Sequence, residues 1–506
     1  MAIDSKRIAK NTVFLYARLI LVLGVTLYTS RVVLDKLGVD DYGLYNVVFG
    51  VIGLLSFLNG TLSFGTSRFI TFELGKKDMG RLESTFSTAL GTHVILACII
   101  LLLGETIGIW YIYNVMVCPP ERFHIAFWVY QISIIQTMFS IIQVPFSSEI
   151  IAHEKMEVYA YIGIYEAVAK LLVVFLLIKT PFDKLLYYAI LIASIIFSIL
   201  IINAVYCLRH FKEVRINLKL DTQIFKSILD FSGWNIIANL SGTLMSQGVI
   251  MLFNLFFQPF VVAAQAVSNQ ISNALMQFVN NVRQAVNPQI IKLYAEGSYQ
   301  ESKRLTLSSA EYIFDLLLLM GVPMVMIMPT LLDLWLVEVP EYAVIFAQLM
   351  IVQDILGNFS AAFYTPMVAA NRIKKNSIAS LILCVLQFSS IYLLFKAGMT
   401  PVWARYVGLL FTVMWSFIVK PYILWKDIDY TWKELLQCIF RCMRVLFVVV
   451  VICALIYYYL PQNKLLDSLM VAFISIIVVG VCSLLFMEKP VRKRLYLFLK
   501  NKITRQ

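Results

Sequence analysis

The sequence is poor in charged residues and has no long polar segment. Aspartate, glutamate, lysine and arginine make up 14% of its 506 residues, whereas soluble proteins average about 25%. This scarcity excludes an ordinary soluble domain. The chain also lacks a G-x-x-x-x-G-K-[ST] loop, so we expect no ATP hydrolysis. Any work must then come from ion gradients or from the downhill flow of a substrate.

Cysteine is also uncommon, and its positions predict neither a disulfide framework nor a zinc site. Five of the eight cysteines lie in or beside apolar segments. Cys438 and Cys442 have no nearby histidine or second thiol pair that could complete a zinc site. The sequence therefore predicts no metal, no cofactor and no catalytic residues.

Apolar segments of about 20 residues, the length that crosses a bilayer as a helix, are abundant. About fourteen of them follow one another from Thr12 to Met487. They span about residues 12–33, 43–65, 85–109, 124–145, 158–178, 185–207, 228–253, 260–285, 305–328, 342–365, 377–396, 402–424, 441–460 and 467–487. The sequence predicts an all-α polytopic membrane protein with about fourteen transmembrane helices.

The basic residues are distributed unevenly between the two sides of these spans. A net charge of +12 would also suit a nucleic-acid-binding protein, so the placement of the basic residues must decide between that class and a membrane protein. If both termini are cytoplasmic, 30 of the 42 lysines and arginines fall on the cytoplasmic side of the membrane and 7 on the outer side. This asymmetry obeys the positive-inside rule. We therefore expect both termini to be cytoplasmic and expect no nucleic-acid partner.

The order of the spans suggests an internal repeat. At a shift of about 220 residues the second and eighth spans superpose, and residues 73–83 fall beside residues 293–303. Six helices per half would make the halves parallel repeats around a central cavity, although chance similarity between apolar helices is the alternative. We expect an N-terminal bundle at 1–208, a linker at 209–227, a C-terminal bundle at 228–425, and two additional helices with a basic tail at 426–506.

The eighth span carries a stripe of side-chain amides. At 100° per residue they fall within an arc of about 140°, and apolar side chains occupy the opposite arc. Unpaired amides facing lipid would cost several kcal/mol each, so we expect a hydrated cavity wall that binds substrate through Asn269, Asn273 and Gln277. The alternative is interhelical hydrogen bonding. The stripe consists of Asn269, Gln270, Asn273, Gln277, Asn280, Gln284 and Asn287.

Several ionisable residues fall deep inside predicted spans. At 1.5 Å per residue, Lys170 and Asp354 lie about 18 Å deep and Asp315 about 15 Å deep. Charges at such depth are costly and usually mark an ion or substrate pathway. We therefore predict ion coupling by Asp315, Asp354 and Glu166 and substrate binding by Lys170. Glu166 precedes Lys170 by four residues, so a buried structural ion pair is the alternative there.

Arginines recur in and beside the first, second and eighth spans. Arg18, Arg68 and Arg283 could bind phosphate, because guanidinium donates forked, charge-assisted hydrogen bonds. Each could instead extend its long side chain to the membrane interface. Their joint occurrence favours a phosphate-containing substrate.

Residues 30–45 and 62–68 resemble the polysaccharide flippases of the multidrug/oligosaccharidyl-lipid/polysaccharide exporter superfamily. The pairs Leu37-Gly38 and Tyr42-Gly43 match the turn between the first two helices of that family. We expect Gly38 and Gly43 to allow a tight turn before the second helix starts, with Asp41 leading into it.

The resemblance implies two six-helix bundles that alternate access and flip an undecaprenyl-diphosphate-linked oligosaccharide to the outer leaflet, for surface polysaccharide or lipopolysaccharide (O-antigen) synthesis. It implies that Arg18, Arg68 and Arg283 hold the diphosphate. It also implies the bacterial cytoplasmic (inner) membrane as location. The expected partners are the lipid-linked oligosaccharide and membrane lipids, with a polysaccharide polymerase and glycosyltransferases as further candidates.

Two other functions remain open. A cation-coupled multidrug exporter of the same superfamily would use acidic residues such as Asp315 and Asp354. A multispanning glycosyltransferase or polymerase would be an enzyme, and Asp40-Asp41 superficially suits one, but such enzymes carry a large outer domain and every outer connection here is short. The sequence thus favours a transporter over an enzyme.

Overall fold

The architecture comes from a computed structural model. It describes residues 5–53, 66, 69–70, 73–74, 78–153, 155–215, 220–370, 372–459 and 465–486. Within these ranges the side chains of 5–20, 156, 227–236, 238, 281, 284–285, 288, 292 and 295 are left undescribed.

The described residues form helices joined by short connections and contain no strand. Ten of the helical segments are long and apolar enough to cross a membrane. The predicted all-α polytopic fold class is therefore confirmed, and the predicted count of about fourteen spans is compatible with it. The long helices are α1 Ser5–Leu37, α2 Val39–Gly53, α3 Met79–Asn114, α4 Pro120–Ala152, α5 Met156–Lys179, α6 Lys184–His210, α7 at 222–256, α8 Pro259–Ala295, α9 Tyr299–Met326, α10 Ala343–Ala369, α11 Lys374–Lys396, α12 Val402–Asp427, α13 Trp432–Tyr459 and α14 Leu465–Phe486. A short helix, Met328–Trp335, lies between α9 and α10.

The connection between α1 and α2 is shorter than the sequence suggested. Gly38 alone breaks the helix, with φ at +81°, a conformation that suits glycine. Gly43 already lies inside α2, so the expectation of a turn there was wrong. A Cβ at Gly43 would lie 2.1 Å from the carbonyl oxygen of Pro259. Gly43 is therefore required for close helix packing rather than for a turn.

Contacts divide the chain into two compact units. The first comprises Met1–Ala266, Trp335–Glu341 and Ser377–Pro401. In it α4 packs along α2, α3 and α6, α1 packs along α5, and α7 packs against α2. Val129, Tyr130 and Ile134 of α4 are buried in its apolar core, and the Tyr130 hydroxyl donates to the Gly104 carbonyl at 2.7 Å.

The second unit comprises Val267–Leu334, Tyr342–Asn376 and Val402–Gln506. Its central helix is α9, which packs against α10, α13 and α14, while α10 also packs against α12. Phe314 of α9 and Phe359 of α10 are fully buried, with ring centroids 5.5 Å apart. The two bundles expected at 1–208 and 228–425 were predicted from a sequence repeat, whereas the two units are defined by contacts. The division into bundles therefore stays a prediction. The linker expected at 209–227 is shorter in the structure, because α7 begins at Thr222.

Candidate functional site

The middle of α8 presents amides on one side and apolar residues on the other. Ile271 and Val279 are buried at 3% and 0% exposure, whereas Asn273 and Asn280 are exposed. Asn269 and Gln277 are half-buried. The 3.6-residue period thus sorts the two residue types as the sequence pattern predicts.

Arg283 lies at the end of this stripe and is held by asparagines. Its Nη2 donates to Oδ1 of Asn358 on α10 at 3.0 Å, and its Nη1 approaches Oδ1 of Asn280 at 3.4 Å. Asn358 is fully buried and donates in turn to the Ala310 carbonyl on α9 at 2.8 Å. Among the described residues the buried Nε of Arg283 has no hydrogen-bond partner. The two asparagines therefore hold the guanidinium in place.

Asp354 lies one helical turn before Asn358 on α10 and takes its neighbours from other helices. Its Oδ2 accepts from the Ser272 hydroxyl on α8 at 2.6 Å. It also interacts electrostatically with Arg283 and with Arg405 of α12. A carboxylate and two guanidinium groups are thereby brought together inside the second unit.

Arg283 and Asp354 line one cavity of about 210 Å³. Gln353 and Thr412 close part of its wall through a hydrogen bond of 3.0 Å from Nε2 to Oγ1. The cavity is smaller than the roughly 300–1,000 Å³ pockets that hold drug-sized ligands, so its size suits one polar group of a larger molecule. Its lining residues are Met276, Arg283, Gln353, Asp354, Gly357, Ser360, Ala361, Thr412 and Trp415.

Asn269, Asn273 and Gln277, the predicted sugar-binding amides, are not among the cavity-lining residues. Gln277 is adjacent in sequence to the lining residue Met276, and its buried Oε1 has no partner among the described residues. The amides thus lie on α8, which contributes Met276 and Arg283 to the cavity wall, but they do not line the cavity themselves.

Asp315 belongs to a different cluster. Its Oδ2 lies 3.5 Å from Nη2 of Arg441 on α13, and Arg441 also pairs with Glu311. The side chains of all three are 12–14% exposed. The Nε of Arg441 donates to the Phe486 carbonyl at the end of α14, at 2.9 Å. Arg441 therefore ties both C-terminal helices to α9, and Asp315 is one of its partners.

Glu166 and Lys170 pair with each other on α5 in the first unit. Lys170 Nζ lies 2.6 Å from Glu166 Oε1, and each side chain is about one-third exposed. Of the other predicted arginines, Arg68 lies outside the described residues, and only the helical backbone of Arg18 is described. The structure thus places Arg283 alone of the three at a cavity.

Sequence reasoning missed Arg405, Asn358 and the Gln353–Thr412 pair. The available signal was Arg405 itself, a single arginine near the start of the span predicted at 402–424. Arg405 lies inside α12, with its guanidinium 5.7 Å from the centre of the Phe346 ring.

No known protein family and no curated protein matches the sequence, but solved structures do. An inward-facing multidrug resistance MATE family transporter of the MOP superfamily superposes with a TM-score of 0.65 at 15% identity, over 81% of this chain and 98% of its own. The MATE multidrug transporter DinF-BH gives 0.62 at 15% identity, over 84% and 96%.

The lipid II flippase MurJ, in an inward closed conformation, gives a TM-score of 0.67 at 12% identity. It matches 94% of this chain and 98% of its own. At such identities these similarities establish the fold and not the activity. The chain has the helical fold that these MATE transporters and MurJ share.

Proposed function

We propose that the protein is a membrane transporter that flips an undecaprenyl-diphosphate-linked oligosaccharide from the cytoplasmic to the outer leaflet. The product would supply surface polysaccharide or lipopolysaccharide synthesis. The observation that carries the proposal is Arg283, a guanidinium held by Asn280 and Asn358, at a cavity of about 210 Å³. A phosphate group fits such a cavity and accepts the charge-assisted hydrogen bonds that guanidinium offers.

The polar stripe of α8 supports a sugar-bearing substrate. Exposed amides such as Asn273 and Asn280 cannot face lipid without cost, so we assign them to a water-filled surface. Neutral glycans are held by hydrogen bonds to their hydroxyl groups, which the amides of Asn269, Asn273 and Gln277 supply. The roles of Arg18 and Arg68 in binding the diphosphate stay predictions from the sequence.

Among the predicted coupling residues, Asp354 has the arrangement that suits ion coupling. It lines the cavity beside Arg283, so its charge would respond to the arrival of an anionic substrate. Asp315 and Glu166 each have a cationic neighbour elsewhere, Arg441 and Lys170. We therefore assign coupling to Asp354 and helix tethering to Asp315. For Glu166 and Lys170 we favour the ion pair within α5 over direct roles in coupling and substrate binding.

The lipid II flippase matches a larger share of this chain than the multidrug transporters do, 94% against 81% and 84%. Proteins with this fold thus include both a lipid II flippase and multidrug transporters. The similarity to transporters disfavours a glycosyltransferase or polymerase. The location we propose is the bacterial inner membrane, with both termini cytoplasmic and with membrane lipids, a polymerase and glycosyltransferases as neighbours.

Export of cationic drugs is the second candidate. The feature that favours it is Asp354 in a cavity that also holds the indole of Trp415, because a carboxylate and an aromatic face together attract a lipophilic cation. In that case Asp354 rather than Arg283 would be the essential binding group.

The experiment that separates the two is substitution of Arg283 in protein reconstituted into liposomes. Losing a charge-assisted hydrogen bond costs about 1.5–3 kcal/mol, so Arg283→Ala should slow flipping of a fluorescent polyprenyl-diphosphate disaccharide by about 10- to 100-fold. Arg283→Lys should lose less, since it keeps the charge without the fork.

Arg304→Ala is the matched control, because Arg304 is exposed on α9. Thermal unfolding of each variant in detergent checks that the Arg283–Asn358 contact is not needed merely for folding. If a stably folded Arg283→Ala variant flips the probe at the wild-type rate, the diphosphate assignment is wrong.

A further inference from the structure

A cluster of one histidine and two glutamates lies in the first unit, away from the cavity described above. Glu149 is in the last turn of α4, His153 is in the turn before α5, and Glu213 follows the end of α6. His153 Nε2 lies 2.6 Å from Glu213 Oε1 and 3.7 Å from Glu149 Oε2. One ligand atom from each residue lies within 4.8 Å of the other two.

The local structure fixes all three side chains. The backbone N–H of His153 donates to the Glu149 carbonyl at 3.0 Å, which closes the last turn of α4. The His153 ring stacks on Phe211, with centroids 4.1 Å apart and planes 10° apart. Phe211 directly follows the end of α6. Glu213, two residues later, therefore lies beside Nε2 of the imidazole.

Burial makes this cluster unusual. The Glu149 side chain is 0% exposed and that of Glu213 is 4% exposed. Both carboxylate oxygens of Glu149 lack a hydrogen-bond partner among the described residues. A buried carboxylate without donors is strongly disfavoured as an anion, so either a proton or a cation must neutralise it.

No lysine or arginine supplies that cation within the part of the chain that the structure describes. The nearby Arg215 pairs with Glu83 at 3.4 Å instead, and Lys212 and Arg209 are exposed. Cys207 is buried beside both glutamates, but its thiol is directed to the Phe146 carbonyl at 3.3 Å. Among the described residues, the imidazole of His153 is therefore the one basic group that directly contacts the two glutamates.

We propose that Glu149, His153 and Glu213 bind a divalent first-row transition-metal ion. One imidazole nitrogen with carboxylate oxygens is a donor set typical of Zn²⁺ or Mn²⁺, and water can complete the coordination. Mg²⁺ and Ca²⁺ prefer sites built from oxygen ligands alone. A divalent ion would neutralise the two carboxylates and join the ends of α4, α5 and α6, so its role is structural.

The test is metal binding by the full-length protein, purified in detergent with an affinity tag that contains no histidine. After dialysis against EDTA, titration with ZnCl₂ should show one tight site per chain, with weaker binding of MnCl₂ and much weaker binding of MgCl₂. His153→Ala and Glu149→Gln should each weaken Zn²⁺ binding by roughly 100-fold or more, since even outer-shell changes at metal sites cost about 10- to 100-fold.

His124→Ala and Glu121→Gln are matched controls, because both residues are exposed at the opposite end of α4, and both variants should bind as the wild type does. Zn²⁺ should also raise the unfolding temperature of the wild type and not that of Glu149→Gln. Should either site variant fail to fold, the wild-type titration still decides. A wild-type protein without a tight Zn²⁺ site, or equal binding by folded His153→Ala, would overturn the proposal.

Discussion

At the residue scale, we expect the electrostatic interaction of Asp354 with Arg283 to influence what the cavity binds. Asp354 accepts from Ser272 at 2.6 Å and lies in the field of two guanidinium groups. An anionic substrate competes with this carboxylate for Arg283, whereas a proton or metal cation bound to the carboxylate removes the competition. Ion binding at Asp354 and substrate binding at Arg283 are therefore expected to depend on each other.

This coupling predicts the behaviour of Asp354→Asn. The amide keeps the size of the side chain and can still accept from Ser272, but it cannot titrate. Flipping in liposomes should lose its dependence on an imposed pH or sodium gradient, while the lipid-linked probe still binds within about threefold of wild type. Asp333→Asn, an exposed position in the same unit, should keep the dependence. A wild-type protein that is indifferent to both gradients would exclude this role.

Counting residues along a helix predicts how deep Asp354 and Asp315 lie in a span, but it says nothing about which helix packs opposite. Their partners could therefore not be predicted from the sequence. Arg441, for example, stands at the start of the predicted span 441–460, and only the fold shows that it pairs with Glu311 and approaches Asp315. The Glu149–His153–Glu213 cluster was missed for the same reason, since Glu213 is 60 residues from His153 and only the fold brings them together.

At the element scale, α8 combines a buried apolar face with an exposed amide face. Ile271, Leu275 and Val279 are at most 3% exposed, which fixes the rotation of the helix. The helix ends at Ala295, ten residues beyond the end predicted from hydropathy. Its last turns keep the helical period but are polar, so hydropathy does not detect them. Periodicity thus predicts the orientation of this helix well, while hydropathy predicts its end poorly.

The orientation of α8 predicts which introduced cysteines meet water. In a variant with Cys98 and Cys118 changed to serine, the six native cysteines that remain are buried. Asn273→Cys and Asn280→Cys should react with a charged methanethiosulfonate reagent, because thiolates form in water. Ile271→Cys and Leu275→Cys should not react.

Phe473→Cys on α14 tests whether labelling requires a water-filled surface or only an exposed position. Phe473 is 65% exposed but apolar, so we expect it to face lipid and its cysteine to stay unlabelled. Labelling at Phe473 equal to that at Asn273 would mean that exposure alone, and not a water-filled surface, explains the reactivity.

At the scale of the whole molecule, the fold is shared with MATE transporters and MurJ at identities of 12–15%. Such a fold survives sequence change because membrane helices need only apolar character, small residues at close contacts and satisfied backbone groups. Gly43 against Pro259 is one such contact. The same tolerance explains why the all-α polytopic class could be predicted from composition, while in our proposal the substrate depends on a few side chains around Arg283.

The most direct measurement is transport by the purified wild-type protein in liposomes, offered two substrates in parallel. The account predicts flipping of a fluorescent polyprenyl-diphosphate disaccharide at least about tenfold faster than in protein-free liposomes, with a lipophilic cation such as a rhodamine dye moving at the protein-free rate. Rhodamine movement driven by an imposed ion gradient, together with a lipid probe that stays in its original leaflet, would contradict the account and establish drug export instead.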